Sequence, residues 1–290
     1  MSTAGVPVEG LGTPIKGPTA LGSDPRRFWN LTRALAVTEF KLRFFGSALG
    51  YLWQLMRPLL LFGIIFAIFS TVAKLSRGIA FYPSALLLAI VLFNFFSEST
   101  GGAVSSLLDR ENLVRKIDFP RLAVPLAIVL TALFNLALNL VPVFVFLLAT
   151  GGRARWSWLE LPFLALALAL FATGLGMLLS ALFVRYRVVK PIWDVVLQAM
   201  FYASPIFYPI TLIHGSVLGL VSLRGLLLAN PFGAVIQQMR HAVIDPSHPS
   251  LPHAMGGGAW VAVPVVIAMV VILMGYRVFS REAPRVAERL

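Results

Sequence analysis

DRENLVRKIDFPR, residues 109–121, holds seven of the 36 charged side chains in a sequence of 290 residues. On either side lie two of its longest apolar stretches, roughly 83–108 and 122–150. Each exceeds the ~20 residues needed to cross a hydrocarbon core of ~30 Å. A charged block held between two such runs must sit in water beside the bilayer, where a soluble partner can reach it.

The composition agrees. The chain is 58% hydrophobic and 12% charged, where a soluble domain carries about 25% charge. Its mean hydropathy is +0.85. These values describe an integral membrane protein. The absence of cysteine excludes disulfides, thiolate metal sites and cysteine nucleophiles. A net charge of +12 suits nucleic acid in a soluble protein, but in a membrane protein Lys and Arg gather on the cytoplasmic side. No nucleic-acid partner is expected.

Residues 1–25 are rich in Gly, Pro and Thr and lack the apolar region of a cleavable signal peptide. A disordered cytoplasmic tail is expected there. Asn30-Leu31-Thr32 matches a glycosylation sequon, but in a basic segment chance explains it better. Residues 26–48 are amphipathic: Phe28, Leu31, Leu35 and Leu42 share one helical face, with Arg26, Asn30, Arg33 and Lys41 opposite. This pattern fits a helix lying in the membrane interface, or a solvated helix before a span; either is cytoplasmic.

An all-α membrane protein with six transmembrane helices is expected. Span 1 is about 50–73, with Tyr51 and Trp53 near its start and Arg57 snorkelling to the interface. Span 2 is about 83–108 and ends in the softer SESTGGAVSSLL; span 3 is about 122–150, with Pro125 and Pro142 as kink sites. Span 4, about 159–184, carries Gly174 and Gly176, suited to close helix contact. Span 5 is about 191–209 and span 6 about 259–279. The domain would occupy 49–280, with a cytoplasmic tail at 281–290. Between spans 5 and 6, residues 210–258 are apolar but interrupted, and read as re-entrant or interfacial helices. Asn230 is the expected N-cap of one of them, with Pro231 at its first position.

Lys and Arg number 18 on the connections assigned to one side and six on the other, placing both termini in the cytoplasm. No G-x-x-x-x-G-K-[ST], H-E-x-x-H or G-x-S-x-G occurs in the sequence. Intramembrane ionisable groups are few, mainly Glu98, Asp194 and Arg57; the acids are placed near cytoplasmic ends, in structural or gating roles. His214, His241, His248 and His253 have no metal-ligand spacing, so no metal is expected. Phe93, Phe95, Phe96, Tyr202, Phe207 and Tyr208 concentrate in spans 2 and 5. Aromatic faces can pack, face lipid, or stack on sugar C–H surfaces along a path for a glycan.

NLVRKIDFPRLAVPLA resembles the signature between spans 2 and 3 of ABC-2-type permeases, the membrane subunits of bacterial polysaccharide ABC exporters of the Wzm and TagG type. GYLWQLMRPLLLFGIIFAIF is similar to that family's first span, FNFFSESTGGAVSSLLDRENLV to its second, and SPIFYP and NPFGAVIQQMRHAV to its fifth-span exit and re-entrant region. The resemblance runs in order over roughly residues 28–280. One departure is Tyr186, where the family often has an acid beside Arg185. The Ala- and Arg-rich composition resembles actinobacterial members, whose cargo is a cell-wall galactan on a polyprenyl lipid.

The resemblance implies an ABC-2 (type V) exporter fold in the bacterial plasma membrane. It implies a homodimer joined by two ABC ATPase subunits that bind ATP and Mg, with no cofactor and no catalysis in this chain. Coupling to the ATPase would fall to Asn112, Leu113, Arg115, Lys116, Phe119, Pro120 and Arg121, with Arg33 and Lys41 as a second contact. Tyr51, Trp53, Phe93, Phe96, Tyr202, Phe207 and Tyr208 would line the substrate path among membrane lipids. Asn230, Pro231, Phe232 and Arg240 would form a periplasmic gate. The cargo would be a polyprenyl-linked polysaccharide of O-antigen, teichoic acid or galactan type. Two rival classes are an ATP-independent flippase or secondary transporter, which needs more intramembrane carboxylates, and a membrane enzyme, which needs paired acidic motifs.

Overall fold

The computed structural model describes residues 24–44, 48–72, 79–111, 120–213, 215–217 and 221–283, without side chains at a few of these positions. The expected tails at 1–25 and 281–290 lie almost entirely outside the described residues. The first helix, α1 (Pro25–Phe44), is followed by α2 (Ala48–Ala67), which closes in a π turn at Ile68–Val72. Then come α3 (Tyr82–Asp109), α4 (Ala123–Ala149), α5 (Glu160–Arg185) and α6 (Val189–Ala203). Three short helices follow: α7 (Leu223–Ala229), α8 (Pro231–Met239) and α9 (Leu251–Met255), before α10 (Ala262–Glu282). Strand pairing among the described residues is a two-residue antiparallel ladder, Ser216–Val217 with Val221–Ser222.

Among the described residues, five helical segments are long and apolar enough to cross a membrane: Leu52–Ser70, Tyr82–Asp109, Ala123–Ala149, Trp156–Arg185 and Gly258–Glu282. They fall where spans 1, 2, 3, 4 and 6 are expected, and the protein is a multi-pass membrane protein. The expected span 5 differs. As a helix it has 15 residues, about 22 Å at 1.5 Å per residue. Ser204 then turns extended and the chain continues without helix through Tyr208. Pro205 and Pro209 cannot continue the i→i−4 ladder, which accounts for the early stop.

Helix α3 is the core of the bundle and packs on α2, α4, α5 and α6. Its small residues allow this. A Cβ on Gly102 would lie 2.9 Å from the Ile128 side chain, and one on Gly176 of α5 would lie 2.9 Å from the Ala103 side chain. The soft SESTGGAVSSLL stretch is thus the surface on which three neighbours close. Thr100 fixes one of them: its hydroxyl donates to the Phe96 carbonyl at 2.8 Å and accepts the Trp193 indole N–H at 3.1 Å. Helix α10 meets α5 where a Cβ on Gly275 would stand 2.1 Å from the Gly174 carbonyl. No side chain larger than hydrogen fits that crossing.

Helix α1 packs on α4 along the expected apolar face and the small residues beside it: Phe28 and Leu31 lie against the core, and Arg26, Asn30, Arg33 and Lys41 are exposed as expected. Thr32 and Ala36 are fully buried, and Thr131 of α4 donates to the Ala36 carbonyl at 3.2 Å. These small residues let the two backbones approach. Leu42, expected on the apolar face, is 68% exposed. Pro125 lies in the first turn of α4, where its missing N–H has no partner to lose; Pro142 alone lies inside that helix.

Candidate functional site

The end of the bundle that holds Tyr82, Trp158 and residues 204–213 and 223–255 is organised around one buried cation. Arg240 is 4% exposed, and its guanidinium donates to the carbonyls of Ile206 at 2.5 Å and Tyr208 at 3.4 Å. Burial pushes its pKa down to about 10, partly opposed by Tyr82 and Tyr208; it stays charged at neutral pH. Those two carbonyls belong to the extended exit of α6, whose backbone has no helix to satisfy it. Tyr82 completes the clamp, its hydroxyl donating to the Phe207 carbonyl at 2.7 Å.

The π turn at Arg240–Ile244 is fastened to the start of α5. Trp158 donates its indole N–H to the Val243 carbonyl at 3.0 Å, Ser157 its hydroxyl to the Ala242 carbonyl at 2.5 Å, and Arg155 pairs with Asp245 at 3.0 Å. Burial alone would raise the Asp245 carboxyl, but hydrogen bonds from Ser247 and the Arg155 guanidinium outweigh it and hold the group below its usual range. His248 donates Nε2–H to the Ala80 carbonyl at 3.1 Å, and His241 donates Nδ1–H to the His248 carbonyl at 2.7 Å. Burial, with Arg240 nearby, lowers the His248 pKa to about 4, so the ring is neutral. The local signals for α8 read true: the Asn230 side chain accepts the Phe232 N–H at 3.1 Å, and Pro231 follows it.

Five of the seven expected path aromatics, bridged by Phe201 and Phe232, form one run of ring contacts. Phe96 stacks on Phe232 at 5.0 Å, Phe232 meets Phe93 at 5.8 Å, and Phe93 meets Phe201 at 4.9 Å. Phe201 touches Tyr202 at 5.4 Å, Tyr202 touches Phe207 at 6.0 Å, and Phe207 touches Tyr208 at 5.2 Å. The run leads from fully buried Phe96 and Phe232 to Tyr202, which is 68% exposed. Phe96 is therefore a packing residue of the bundle interior, while Tyr202 presents its ring on the surface. Trp53 is exposed on α2; the Tyr51 side chain lies outside the described residues.

A polar cluster that hydropathy does not reveal lies between α2, α3 and α4. Asn135 donates its amide to the Glu98 carboxylate at 2.7 Å, and Asn139 donates to the Asn135 carbonyl at 2.9 Å. Gln54, Arg57 and Asn94 join them around a cavity of about 240 Å³. The sequence places Glu98 near a helix end; in the structure it stands eleven residues before Asp109, about 16 Å from the end of α3. The i, i+4 spacing of Asn135 and Asn139 in an otherwise apolar helix is the available signal. Asp194 is exposed near the start of α6, at the helix end where it is expected.

Of the coupling residues, Asn112, Leu113, Arg115, Lys116 and Phe119 lie outside the described residues. Pro120 is buried and Arg121 is 3% exposed, while Arg33 and Lys41 are exposed on α1. Helix α1 and the start of the charged block are joined by an ion pair between Glu39 and Arg110. In the turn after α5, Arg185 lies 5.1 Å from the Tyr186 ring centroid. Tyr186, where the resemblance leads one to expect an acid, offers its ring to the guanidinium in a cation–π contact. His214 lies outside the described residues, and among those described no group of three or more His, Cys, Asp or Glu could hold a metal ion.

Comparison with known proteins matches residues 30–244 to the family described as "ABC-2 type transporter". The chain is 31% identical over 206 residues to the "O-antigen export system permease protein RfbA" of Myxococcus xanthus, covering 71% of this chain and 76% of that one. A protein of the same description from Klebsiella pneumoniae is 23% identical over 253 residues, 87% of this chain and 92% of its own. The family match spans the helices from α1 to the π turn that carries Arg240, and on that ground this chain belongs to the ABC-2 type transporters.

Proposed function

We propose that the chain is the membrane-spanning permease of an ATP-driven exporter that moves a lipid-linked polysaccharide from the cytoplasm outward. The observation that carries this reading is its likeness, over most of both lengths, to permeases described as O-antigen export proteins. ATP and Mg belong to a separate ATPase, since the sequence carries no phosphate-cradling G-x-x-x-x-G-K-[ST] loop. The cargo class extends to teichoic acid or galactan chains on a polyprenyl carrier.

In this reading α6 and the extended residues 204–208 make the sixth crossing. Their contacts support it: α6 begins just past the turn that ends α5, and Phe207 reaches Tyr82 at the opposite end of α3. Both termini are then cytoplasmic, as the Lys and Arg count favours. The wide apolar faces of α2 and α10, with Ile64 and Met269 exposed, are left for lipid and a second copy. ATP-driven movement reaches the bundle through the 109–121 block and α1, which the Glu39–Arg110 pair ties together. α7–α9 form the outer gate, and the exposed end of the aromatic run, at Tyr202, meets the glycan.

The test is reconstitution with a P-loop ATPase encoded beside it. Vanadate-sensitive export of a lipid-linked glycan is expected, weakened by Tyr202→Ala while the complex still assembles. Export without any ATPase would refute the reading in favour of a secondary transporter.

A further inference from the structure

A second concave feature lies at the end of the bundle that carries Tyr82 and α7–α9, which the export reading takes as the outer gate without assigning it a ligand. It is a cavity of about 460 Å³ between the exit of α6, helix α7 and the 240–255 segment. Arg224, His241, His253, Thr211 and Ser250 line it, together with His248, and among the described residues no carboxylate does. The nearby acid, Asp245, is engaged by Arg155 and Ser247.

The donors are held in place and not used up. Arg224 gives Nε–H to the Ile213 carbonyl at 2.5 Å and one Nη2–H to the Thr211 carbonyl at 3.0 Å, which fixes the guanidinium and leaves three of its five N–H groups. His241 spends its Nδ1–H on the His248 carbonyl and so lines the cavity without adding a donor. Behind the cavity a smaller one, about 170 Å³, shares the walls formed by Ile210, Thr211 and His248 and is lined by Arg240. Arg240 is buried, and its Nε has no hydrogen-bond partner among the described residues. Two arginines thus face adjoining cavities, one of them buried with a donor unused. An anion is the ligand that such a field attracts.

We propose that this cavity is a binding site for a phosphate group, either free or carried on a lipid headgroup. Arg224 keeps three N–H groups, and Thr211, Ser250 and His253 supply one donor each; these six exceed what the two oxygens of a carboxylate accept, about four lone-pair sites, and the three terminal oxygens of a phosphate take them. The arginine fork matches that geometry. The cavity also has room for what the phosphate is esterified to.

The experiment uses the full-length purified protein. In detergent, inorganic phosphate is titrated and its phosphorus NMR line followed; in nanodiscs, native mass spectrometry compares retained phosphatidylglycerol with phosphatidylcholine. Arg224→Gln is expected to weaken binding about tenfold or more, the loss of a charge-assisted contact. Because Arg224 also holds backbone, His253→Gln on the exposed rim serves as the second variant, with about threefold weakening expected. Saturable inorganic phosphate binding that both variants weaken assigns the site to a free phosphate group. Preferential retention of phosphatidylglycerol alone, lost in both variants, assigns it to a headgroup. Absence of both, or binding that neither variant alters, overturns the proposal. None of these outcomes depends on export.

Discussion

His248 makes the gate region acid-sensitive by a calculable amount. Its ring is buried and neutral, with Nε2–H on the Ala80 carbonyl and a pKa of about 4 against 6.5 in an exposed chain. The unfolded chain therefore binds more protons than the folded one between those values, and stability falls as pH falls through 6.5. That difference corresponds to roughly 3 kcal/mol once complete, most of it reached by pH 4.5. Asp245, held below its usual range, adds its own loss only at lower pH. The assay is thermal unfolding of the protein in detergent between pH 7.5 and 4.5, wild type against His248→Gln. Gln can still donate an amide N–H to Ala80 but carries no proton to gain. The variant should lose most of the difference in midpoint that the wild type shows across this range. Equal pH slopes in the two proteins would refute the assignment of a buried neutral imidazole.

Three further outcomes follow from the packing and the polar contacts. Gly275→Val should cost about 3 kcal/mol or more, since its Cβ would stand 2.1 Å from the Gly174 carbonyl and force α5 and α10 apart; the unfolding midpoint measures it. Arg240→Met should speed amide exchange across residues 204–209 by about tenfold or more, because the Ile206 carbonyl loses a charge-assisted donor worth about 1.5–3 kcal/mol; unchanged exchange there would argue against the clamp. Asn135→Leu removes a donor to Glu98 and should cost about 1–3 kcal/mol in stability, read from chemical denaturation, while Asn30→Ala on the exposed face of α1 should change it by less than about 0.5.

Helices that cross a membrane announce themselves because lipid tolerates neither charge nor unpaired backbone for ~20 residues. Spans 1, 2, 3, 4 and 6 are legible for that reason, and so is the Asn230-Pro231 start of α8, a matter of two neighbouring residues. Span 5, helix α6, reads too long in sequence because its prolines follow an apolar run without interrupting hydropathy. The apolar face of α1 is legible at Phe28 and Leu31, but its close approach to α4 is not, because the fit between Thr32, Ala36 and Thr131 depends on the partner helix.

The division between sequence and structure has one physical cause. Solvation is a property of a segment alone, so the sequence by itself determined which segments avoid water, which charges must stay in it, and which family the motif order resembles. Pairing is a property of two segments. Only the tertiary structure decided that Asn135 meets Glu98, that Arg240 holds the carbonyls of Ile206 and Tyr208, and that Arg224 shares a cavity with His241 and His253. Asn135 and Glu98 are 37 positions apart and Arg240 and Ile206 are 34, beyond the reach of any local pattern.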